Sequence, residues 1–304
     1  MAPEQRRAQA LAWVPALARV PEANVVTPEA RPRVRTVRLR DLTTLRVGGE
    51  AELWEVDDAA DLALATSAPY RVLGSGANLL VADAGVPERV VRLGRAYNTM
   101  ATFGAAKDVW VGAGTPLPGL VRRAQRAGLS GLEGLSGVPA VLGGAIAMNA
   151  GTRFGEMSDS VTEVELFVDG ALVVVPAAEL GFSYRHANLP AGAIVTRARL
   201  QLPEATPESV ANTTNLVDAA RAGQPKVKSA GCAFKNPTND SAGRLIDAAG
   251  LKGLRVGDAM VAHEHGNFVV NLGDATAADV LELLTQVKER VPQPLELEWR
   301  LWGF

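Results

Sequence analysis

The stretch GLEGLSGVPAVLGGAIAMNAG, residues 131–151, decides the fold because glycine recurs along it with almost no charge. A surface loop of this length would normally carry polar side chains. Its backbone is therefore expected to lie against a large flat ligand or against another strand. The sequence predicts a ligand site here if other loops share the pattern.

Two earlier loops do share it. In VLGSGANLLVAD (72–83), Gly74 and Gly76 follow a predicted strand and would let backbone N–H groups approach an anion. The dinucleotide fingerprint G-x-G-x-x-G is absent, since a leucine replaces its third glycine. In TLRVGGEA (44–51), Arg46 precedes a Gly-Gly pair and could meet a phosphate through charge and backbone. Each loop alone is most simply a tight turn, whereas three together favour a dinucleotide ligand.

Length and composition bound the class of protein. A chain of 304 residues exceeds the usual size of one hydrophobic core, which favours two or more domains with a cleft. With 47% hydrophobic and 21% charged residues it is typical of soluble globular proteins, and a net charge of −2 gives no basis for nucleic-acid binding. No apolar run reaches the ~20 residues of a membrane span, and the N-terminal segment lacks the apolar stretch of a secretion signal. A single cysteine fits a reducing compartment, so we expect a cytoplasmic protein.

Alternating apolar residues predict short strands. A hairpin at 161–176 is expected to turn at Asp169-Gly170, because this pair accepts the positive φ values of a type I′ turn. The run NFVVNL predicts a later strand, and LELEWRLW at 295–302 predicts the last one. The other predicted strands are 34–40, 51–56, 69–76, 88–93 and 108–114.

Three helices carry start or stop signals. The first has apolar residues at i, i+3, i+4 and i+7 and can close at Gly128. Thr206 can cap a second helix, with Pro207 at its first position. Thr276 and Asp279 form the capping box of a third helix near the end of the chain. Together with the strands, these helices predict an α+β chain with a boundary near residue 203.

A set of motifs runs in order from residue 33 to residue 303: TTLRVGGEAELW, YRVLGSGANLLVAD, VGAGTPLPGLVRRAQRAGLSGLEGLSGVPAVLGGAIAMNAG, SYRHANLP, GCAFKNP, AGRLIDAAGLKG, HGNFVVN and ELEWRLWG. Together they closely resemble the UDP-N-acetylenolpyruvoylglucosamine reductase (MurB) family. The resemblance implies an FAD-binding region of the PCMH or vanillyl-alcohol-oxidase type at 33–203 with two α+β subdomains, and a smaller α+β substrate-binding domain at 204–304. Residues 1–32 precede it, and their mixture of arginine, alanine and proline predicts an N-terminal arm or helix. No long insertion follows SYRHANLP, so the chain resembles the shorter subclass that lacks an extra substrate-covering loop.

The resemblance also implies a reaction. A UDP-N-acetylmuramate dehydrogenase reduces UDP-GlcNAc-enolpyruvate to UDP-MurNAc in peptidoglycan precursor synthesis, with FAD as cofactor and NADPH as hydride-donating co-substrate. Hydride passes from flavin N5 to the substrate's C3. The negative charge left at C2 spreads into the carboxylate as an enolate, so the site needs a fixed cation or donor and a proton source.

The same resemblance assigns the catalytic residues. Arg185 would hold the carboxylate through its planar guanidinium, and Glu298 would assist the enolate, with Glu296 as the rival assignment. The family loop reads Gly-Ser-x-Phe-Lys-Asn-Pro, and its serine protonates C2. Cys232 occupies that position here. A thiol, with a reference pKa of about 8.5, is a stronger acid than an alcohol and can deliver the proton. The alternative is a cysteine that only packs.

Further site residues are implied by position. Those expected to line FAD are Arg46, Val47, Gly48, Gly74, Ser75, Gly76, Ala77, Asn78, Leu79, Gly137, Pro139, Gly143, Gly144 and Ala145. Those expected to contact the substrate are Tyr184, Lys226, Lys235, Asn236, Arg244 and Asn267, with Lys228 as a further candidate for the diphosphate. His263 and His265 have no third ligand nearby, so no metal is expected.

Two other functions stay open. The first is another flavoprotein of the same fold, such as an oxidase of small alcohols. The second is a module that binds flavin or nucleotide sugar without catalysis, which the set of Arg185, Cys232 and Glu298 disfavours because a pure binder needs no proton donor. The expected partners are small molecules alone, with neither nucleic acid nor membrane, and a monomer is the default expectation.

Overall fold

The computed structural model describes residues 32–99 and 107–304. The predicted N-terminal arm or helix, apart from its last residue, lies outside them. The contacts divide the chain into two compact units. Unit 1 contains Trp54–Gly74 and Val91–Ala219, and unit 2 contains Val34–Leu53, Ser75–Val90 and Ala220–Phe304. Unit 2 is thus assembled from three separate stretches of sequence.

The elements confirm an α+β chain. In chain order the strands are β1 Arg33–Arg38, β2 Glu50–Val56, β3 Tyr70–Val72, β4 Leu79–Val81, β5 Arg89–Leu93, β6 Asp108–Gly112, β7 Gly151–Thr152, β8 Gly155–Glu156, β9 Val161–Val168, β10 Ala171–Pro176, β11 Ile194–Gln201, β12 Ser229–Cys232, β13 Arg255–Val256, β14 Ala259–Val261, β15 Phe268–Asn271 and β16 Arg300–Trp302. The α-helices are α1 Ala59–Ala65, α2 Leu117–Ala127, α3 Leu142–Ala147, α4 Pro207–Arg221, α5 Ala242–Ala248 and α6 Ala277–Arg290. Among the described residues, no helix combines the length and the apolar character that crossing a membrane requires.

Unit 1 is built on an antiparallel sheet of order β10-β9-β11-β6. The β9–β10 hairpin turns at Asp169 and Gly170, whose φ values of 50° and 79° confirm the predicted turn. Helix α2 ends at Gly128 in the left-handed conformation, also as predicted. Its apolar face joins a buried core with β9, β11 and α3. Full burial of each large aliphatic side chain in such a core contributes about 1.5–3 kcal/mol.

Helix α4 begins where the sequence predicts. Thr206 accepts a hydrogen bond from the Ser209 N–H at 3.1 Å, which caps the helix. The sequence pattern places this helix after the predicted boundary near residue 203, whereas its contacts place it in unit 1 as far as Ala219.

Unit 2 is built on the antiparallel sheet β12-β15-β14-β13 and on the parallel pair β16-β4. Helix α6 has the predicted capping box between Thr276 and Asp279, and its apolar face is buried in the core of this unit. The last strand is shorter than the predicted 295–302, because this segment changes partners along its length. Leu297 forms an isolated bridge with Phe234, and only Arg300–Trp302 pairs with β4.

Candidate active site

Bare backbone is exposed in unit 1 at helix α3. Gly144 is exposed, and a Cβ added to it would touch only the Val141 Cγ2 atom, at 3.9 Å. A Cβ on Gly74 would lie 3.1 Å from the same atom and 4.0 Å from the Gly144 Cα atom. Two of the predicted FAD loops therefore meet here, and Gly144 leaves room that a flat ring or a diphosphate can approach. Gly137 and Pro139 of the same predicted set are also exposed.

Three glycines of unit 2 in or beside the predicted FAD loops, Gly48, Gly49 and Gly76, are closed in by neighbouring atoms of the protein. A Cβ on Gly48 would lie 2.7 Å from the Val81 Cβ atom, and one on Gly49 would lie 2.5 Å from the Gly85 nitrogen. A Cβ on Gly76 would lie 2.8 Å from the Thr43 Cα atom. These positions require glycine because the protein packs against itself there.

Two members of the predicted FAD set have side chains in the hydrophobic cores. Val47 is 3% exposed in the core of unit 2, and Ala145 is fully buried in the core of unit 1. Ala145 therefore exposes neither its side chain nor its backbone, and Val47 exposes almost nothing.

Arg46 lies in a cleft of about 400 Å³ within unit 2. Its φ of 61° is left-handed, and its Nη1 atom donates to the Asp41 carbonyl at 2.8 Å. Arg38 and Arg40 line the same cleft, and Arg40 pairs with Asp274 at 3.2 Å. The cleft also includes Val47 and Gly48 of the predicted FAD set, so it offers a concentration of guanidinium groups beside that loop.

The loop that carries the only cysteine is bonded to the strand segment that carries Glu298. Cys232 is half-buried at the end of β12, where it pairs with Phe268 of β15. The Glu298 N–H donates to the carbonyl of Ala233, the next residue in the loop, at 2.8 Å. The Asn78 amide donates to the Glu298 carbonyl at 3.2 Å. The structure thus brings together two predicted catalytic residues and one predicted FAD residue.

Glu298 and its rival Glu296 differ in their surroundings. The Glu296 side chain is 71% exposed and forms an ion pair with Lys235, with 2.6 Å between Oε1 and Nζ. Glu298 is half-buried. The backbone of both residues is bonded to the cysteine loop, since the Lys235 N–H donates to the Glu296 carbonyl at 2.8 Å, so the two glutamates differ in exposure and in the ion pair.

Asn267 secures the cysteine loop from the opposite side. It is 2% exposed, and its side-chain oxygen accepts the Phe234 N–H at 2.9 Å while its amide nitrogen donates to the Phe234 carbonyl at 2.7 Å. Its own carbonyl accepts the Ala233 N–H at 2.8 Å. Both polar atoms of the side chain are engaged by the protein, so Asn267 holds the loop in place instead of facing outward as a substrate contact would.

Asn271 performs the same task for the Arg46 loop, and sequence reasoning missed it. It is 3% exposed, donates to the Leu45 carbonyl at 3.0 Å, and accepts the N–H groups of Gly273 and Ala275 at 2.9 and 3.1 Å. The available signal was an asparagine at each end of an otherwise apolar strand. A buried amide in such a strand must find partners, which marks a residue that organises loops.

Arg185 occupies the tip of a tight turn in unit 1. Ser183 and His186 exchange two backbone hydrogen bonds of 3.0 Å each, which leaves Tyr184 and Arg185 between them. The φ of Arg185 is 56°, a left-handed conformation that an arginine keeps only where the surrounding structure fixes it. Its Nη2 atom donates to the Gly151 carbonyl at 2.8 Å, and its guanidinium lies 5.0 Å above the Tyr184 ring. Both predicted residues of this motif are therefore held in place.

The remaining predicted substrate contacts lie in unit 2. Lys226 and Asn236 are exposed, and the Asn236 side-chain oxygen accepts the Ala242 N–H at 3.1 Å near the start of α5. Arg244 pairs with Asp240 through two hydrogen bonds, which lower the pKa of that carboxyl to about 2. Lys228 donates weakly to a backbone carbonyl at 3.4 Å.

The two histidines near the end of the chain have separate environments. His265 lies edge-on to Phe268, and its Nδ1 atom accepts the Asn267 N–H at 3.1 Å. Burial lowers the pKa of His265. His263 is exposed beside Gly253. In residues 32–99 and 107–304, no group of three or more histidine, cysteine, aspartate or glutamate side chains is placed to hold a metal ion.

Comparisons with known proteins agree with this geometry. Residues 224–301 match the family described as UDP-N-acetylenolpyruvoylglucosamine reductase, C-terminal domain, and residues 52–175 match an FAD binding domain. A UDP-N-acetylenolpyruvoylglucosamine reductase of Thermus thermophilus is 62% identical over 270 residues, which is 89% of this chain and 99% of that protein. The enzyme of the same name from Deinococcus radiodurans is 51% identical over 89% of this chain and 96% of its own length.

A solved structure gives the same result. The crystal structure of UDP-N-acetylenolpyruvylglucosamine reductase (MurB) from Thermus caldophilus superposes with a TM-score of 0.86 at 61% identity. The match covers 90% of this chain and all of that one.

Proposed function

Because the chain belongs to the UDP-N-acetylenolpyruvoylglucosamine reductase family, we propose that it reduces UDP-GlcNAc-enolpyruvate to UDP-MurNAc with NADPH as the hydride donor. At the coarser level it is an FAD-dependent oxidoreductase of peptidoglycan precursor synthesis. The observation that carries the finer proposal is the pairing of the cysteine loop with Glu298, since the Glu298 N–H donates to the carbonyl next to Cys232.

The exposed backbone of unit 1 fits a bound FAD. Gly74 and Gly144 offer surface without side chains, and a Cβ at Gly144 would stand in the space that a ligand would use. We propose that these residues, with exposed Gly137 and Pro139, approach the cofactor through their backbone. Bound FAD would supply hydride transfer from NADPH to C3 of the substrate.

Arg185 holds the substrate carboxylate in this proposal. A guanidinium already oriented by the Gly151 carbonyl and by the Tyr184 ring can donate two parallel hydrogen bonds to a carboxylate. The same contact stabilises the charge that moves into the carboxylate when hydride reaches C3, so the cation acts where charge develops.

Cys232 donates the proton that completes the reduction. Hydride addition at C3 leaves an electron pair at C2, and the Cys232 Sγ–H bond breaks as the C2–H bond forms. The thiolate is then reprotonated from solvent. Glu298, bonded to the same loop through its backbone, assists the enolate. Cys232 packs against the buried cluster of Ala262, Phe268 and Val270, which supports a fixed position for this residue.

The proposed substrate contacts are fewer than the sequence implies, because Asn267 is given a structural role. The proposed contacts to the substrate are Tyr184, Lys226, Lys235 and Asn236. Arg244 also contacts the substrate in this proposal while it stays paired with Asp240, and Asn267 positions the cysteine loop. The proposed enzyme works in the cytoplasm as a monomer.

Steady-state turnover tests the proposal. Beyond the one equivalent that reduces the flavin, the purified FAD-loaded protein should oxidise NADPH only when UDP-GlcNAc-enolpyruvate is present, and mass spectrometry should find a product heavier by two hydrogen atoms. Oxygen consumption with small alcohols, without turnover of the nucleotide sugar, would instead assign an oxidase. Tight binding of the nucleotide sugar with no NADPH oxidation would assign a binding module.

A further inference from the structure

The hairpin of β7 and β8 presents an arginine stacked on an exposed aromatic ring. Arg153 and Phe154 form its two-residue tip, and the Arg153 guanidinium lies 4.8 Å from the centre of the Phe154 ring. Phe154 is 37% exposed, so both residues face solvent. Neither residue has a task in the site described above.

The tip is held in one conformation. Thr152 accepts the Phe154 N–H at 3.1 Å and donates to the Gly134 carbonyl at 2.7 Å. A Cβ on Gly134 would lie 2.8 Å from the Gly155 nitrogen, so the hairpin packs directly on the glycine-rich loop. A side chain presented from such a base loses little entropy when it binds.

The Arg153 guanidinium has no carboxylate partner among the described residues. The acidic side chains of its own hairpin and of the turn that follows are engaged elsewhere. Glu156 accepts the Ser158 hydroxyl at 3.0 Å, and Asp159 accepts the Glu156 N–H at 2.8 Å. An exposed, rigidly mounted guanidinium that no described carboxylate neutralises attracts an anion.

The hairpin also orients Arg185. The Gly151 carbonyl that accepts the Arg185 Nη2–H belongs to the first residue of β7, two positions before Arg153. Two residues of extended chain span about 7 Å at most, so the Arg153 backbone lies within about 7 Å of the Gly151 backbone. Both arginines stack on exposed aromatic rings, at 4.8 and 5.0 Å. One small element thus carries one cation and orients a second in unit 1.

We propose that Arg153 and Phe154 form a second anion contact beside Arg185, which binds a phosphate group of a nucleotide substrate. The inference rests on the proposed function, in which Arg185 holds the carboxylate of a UDP-sugar. In that substrate the diphosphate and the carboxylate are attached to the same hexose ring, and the β7–β8 hairpin likewise carries one cation and orients a second. NADPH also carries phosphates, and the experiment separates the two sources.

Kinetics of three variants test the contact. Arg153→Gln removes the cation, Arg153→Lys keeps the charge without the planar fork, and Arg122→Gln removes an exposed positive charge from α2 of the same unit as the matched control. We expect Arg153→Gln to raise the KM for UDP-GlcNAc-enolpyruvate about tenfold with kcat within about twofold, Arg153→Lys to fall between, and Arg122→Gln to match wild type. The Arg153→Gln effect should shrink at high salt.

The outcomes separate the proposal from the function on which it rests. A rise in the KM for NADPH alone supports the anion contact and assigns the phosphate to the dinucleotide. Unchanged KM values for both substrates in Arg153→Gln, with wild-type activity intact, overturn the inference. Equilibrium binding of UDP to the oxidised protein gives a readout that does not need turnover. If wild type binds UDP but never turns over, the proposed function fails, and weaker UDP binding by Arg153→Gln still supports the contact.

Discussion

Two glycine-rich loops look alike in the sequence, but in the structure the loop at 131–151 leaves a glycine open, whereas the Gly-Gly pair of the loop at 44–51 is closed in by protein. In the loop at 44–51, the space around Gly48 and Gly49 is filled by Val81 and by the backbone at Gly85. In the loop at 131–151, Gly144 faces open space. Glycine density therefore shows that something approaches the backbone closely, and only the neighbours of each missing Cβ show whether it is protein or ligand.

Polar side chains repeat the same contrast. The buried side-chain amides of Asn267 and Asn271 form their hydrogen bonds within unit 2, where they hold the cysteine loop and the Arg46 loop. In unit 1, Arg153 and Tyr184 are exposed on rigid turns. We call the cysteine and Arg46 loops of unit 2, with the residues that hold them, the closed region, and we call the surface of Gly144, Arg153 and Tyr184 in unit 1 the open region. Substitutions in the closed region should lower the free energy of unfolding, and substitutions in the open region should weaken ligand binding.

The largest effect is expected from Gly49→Ala. Its Cβ would sit 2.5 Å from the Gly85 nitrogen, and backbone on both sides cannot move apart without breaking the packing. We expect a loss of about 4 kcal/mol or failure to accumulate as folded protein. Gly223→Ala in the same unit is the control, since a Cβ there meets nothing within 4 Å. Equal thermal melting of the two variants would show that the loop is not closed.

Asn267→Ala should have the next largest effect. The substitution leaves the buried Phe234 N–H and carbonyl without hydrogen-bond partners. We expect this loss to lower the free energy of unfolding by about 2–3 kcal/mol. Because the loop carries Cys232, kcat should also fall while flavin content stays normal. Urea unfolding measures the stability, with the exposed Asn212→Ala as the control. A variant as stable as wild type would remove Asn267 from the frame of the site.

Gly144→Ala should separate stability from binding. Alanine is the better helix former, so the apoprotein should gain up to about 1 kcal/mol. The added methyl group would stand where the ligand approaches, and we expect FAD to bind about tenfold more weakly, equivalent to about 1.4 kcal/mol. Gly143→Ala in the same helix should instead destabilise the fold, since its Cβ would lie 2.9 Å from the Ala113 Cβ atom. Unchanged FAD affinity in Gly144→Ala, by fluorescence titration, would rule out this face as a ligand surface.

The smallest effect is a pH dependence of the closed region. Burial lowers the pKa of His265 below its ordinary value of 6.5, and the charge of Lys252 adds to this. The unfolded chain therefore binds the proton more readily, so this contribution to stability is full above about pH 6.5 and is lost as the pH falls below it. We expect His265→Gln to flatten the fall in unfolding free energy as the pH drops below about 6.5, measured by urea unfolding at a series of pH values. Exposed His263→Gln should keep the wild-type slope, and a flattened slope there would contradict the assignment to His265.

Local sequence patterns predicted the parts of the fold that depend on residues adjacent in the sequence. The Asp169-Gly170 turn, the Gly128 helix end and the Thr276 capping box each rest on a few adjacent positions. Strand β4 was not predicted, because three apolar residues form a strand only when β16 arrives from over 200 residues away. The assembly of unit 2 from three stretches had no local signal for the same reason.

The site divides in the same way. Family resemblance predicted Cys232 and Glu298, and the structure bonds their loops together. The roles of Asn267 and Asn271 depend on which backbone groups lie opposite them in the folded chain. The stacking of Arg153 on Phe154 depends on a hairpin whose strands have only two residues each, too short to leave an alternating pattern. The sequence thus indicates which residues are candidates for catalysis, and only the fold shows which residues fix the position of their loops.

The most direct test of the central claim is a single turnover of the reduced flavoprotein. The protein is reduced anaerobically with NADPH and mixed with UDP-GlcNAc-enolpyruvate, and reoxidation is followed by flavin absorbance in wild type, Cys232→Ser and Cys232→Ala. We predict rapid reoxidation in wild type, a retained step in Cys232→Ser, and a loss of about 10²–10⁴-fold in Cys232→Ala, the range expected when a general acid is removed. Reoxidation of Cys232→Ala at the wild-type rate would contradict the claim that this thiol delivers the proton.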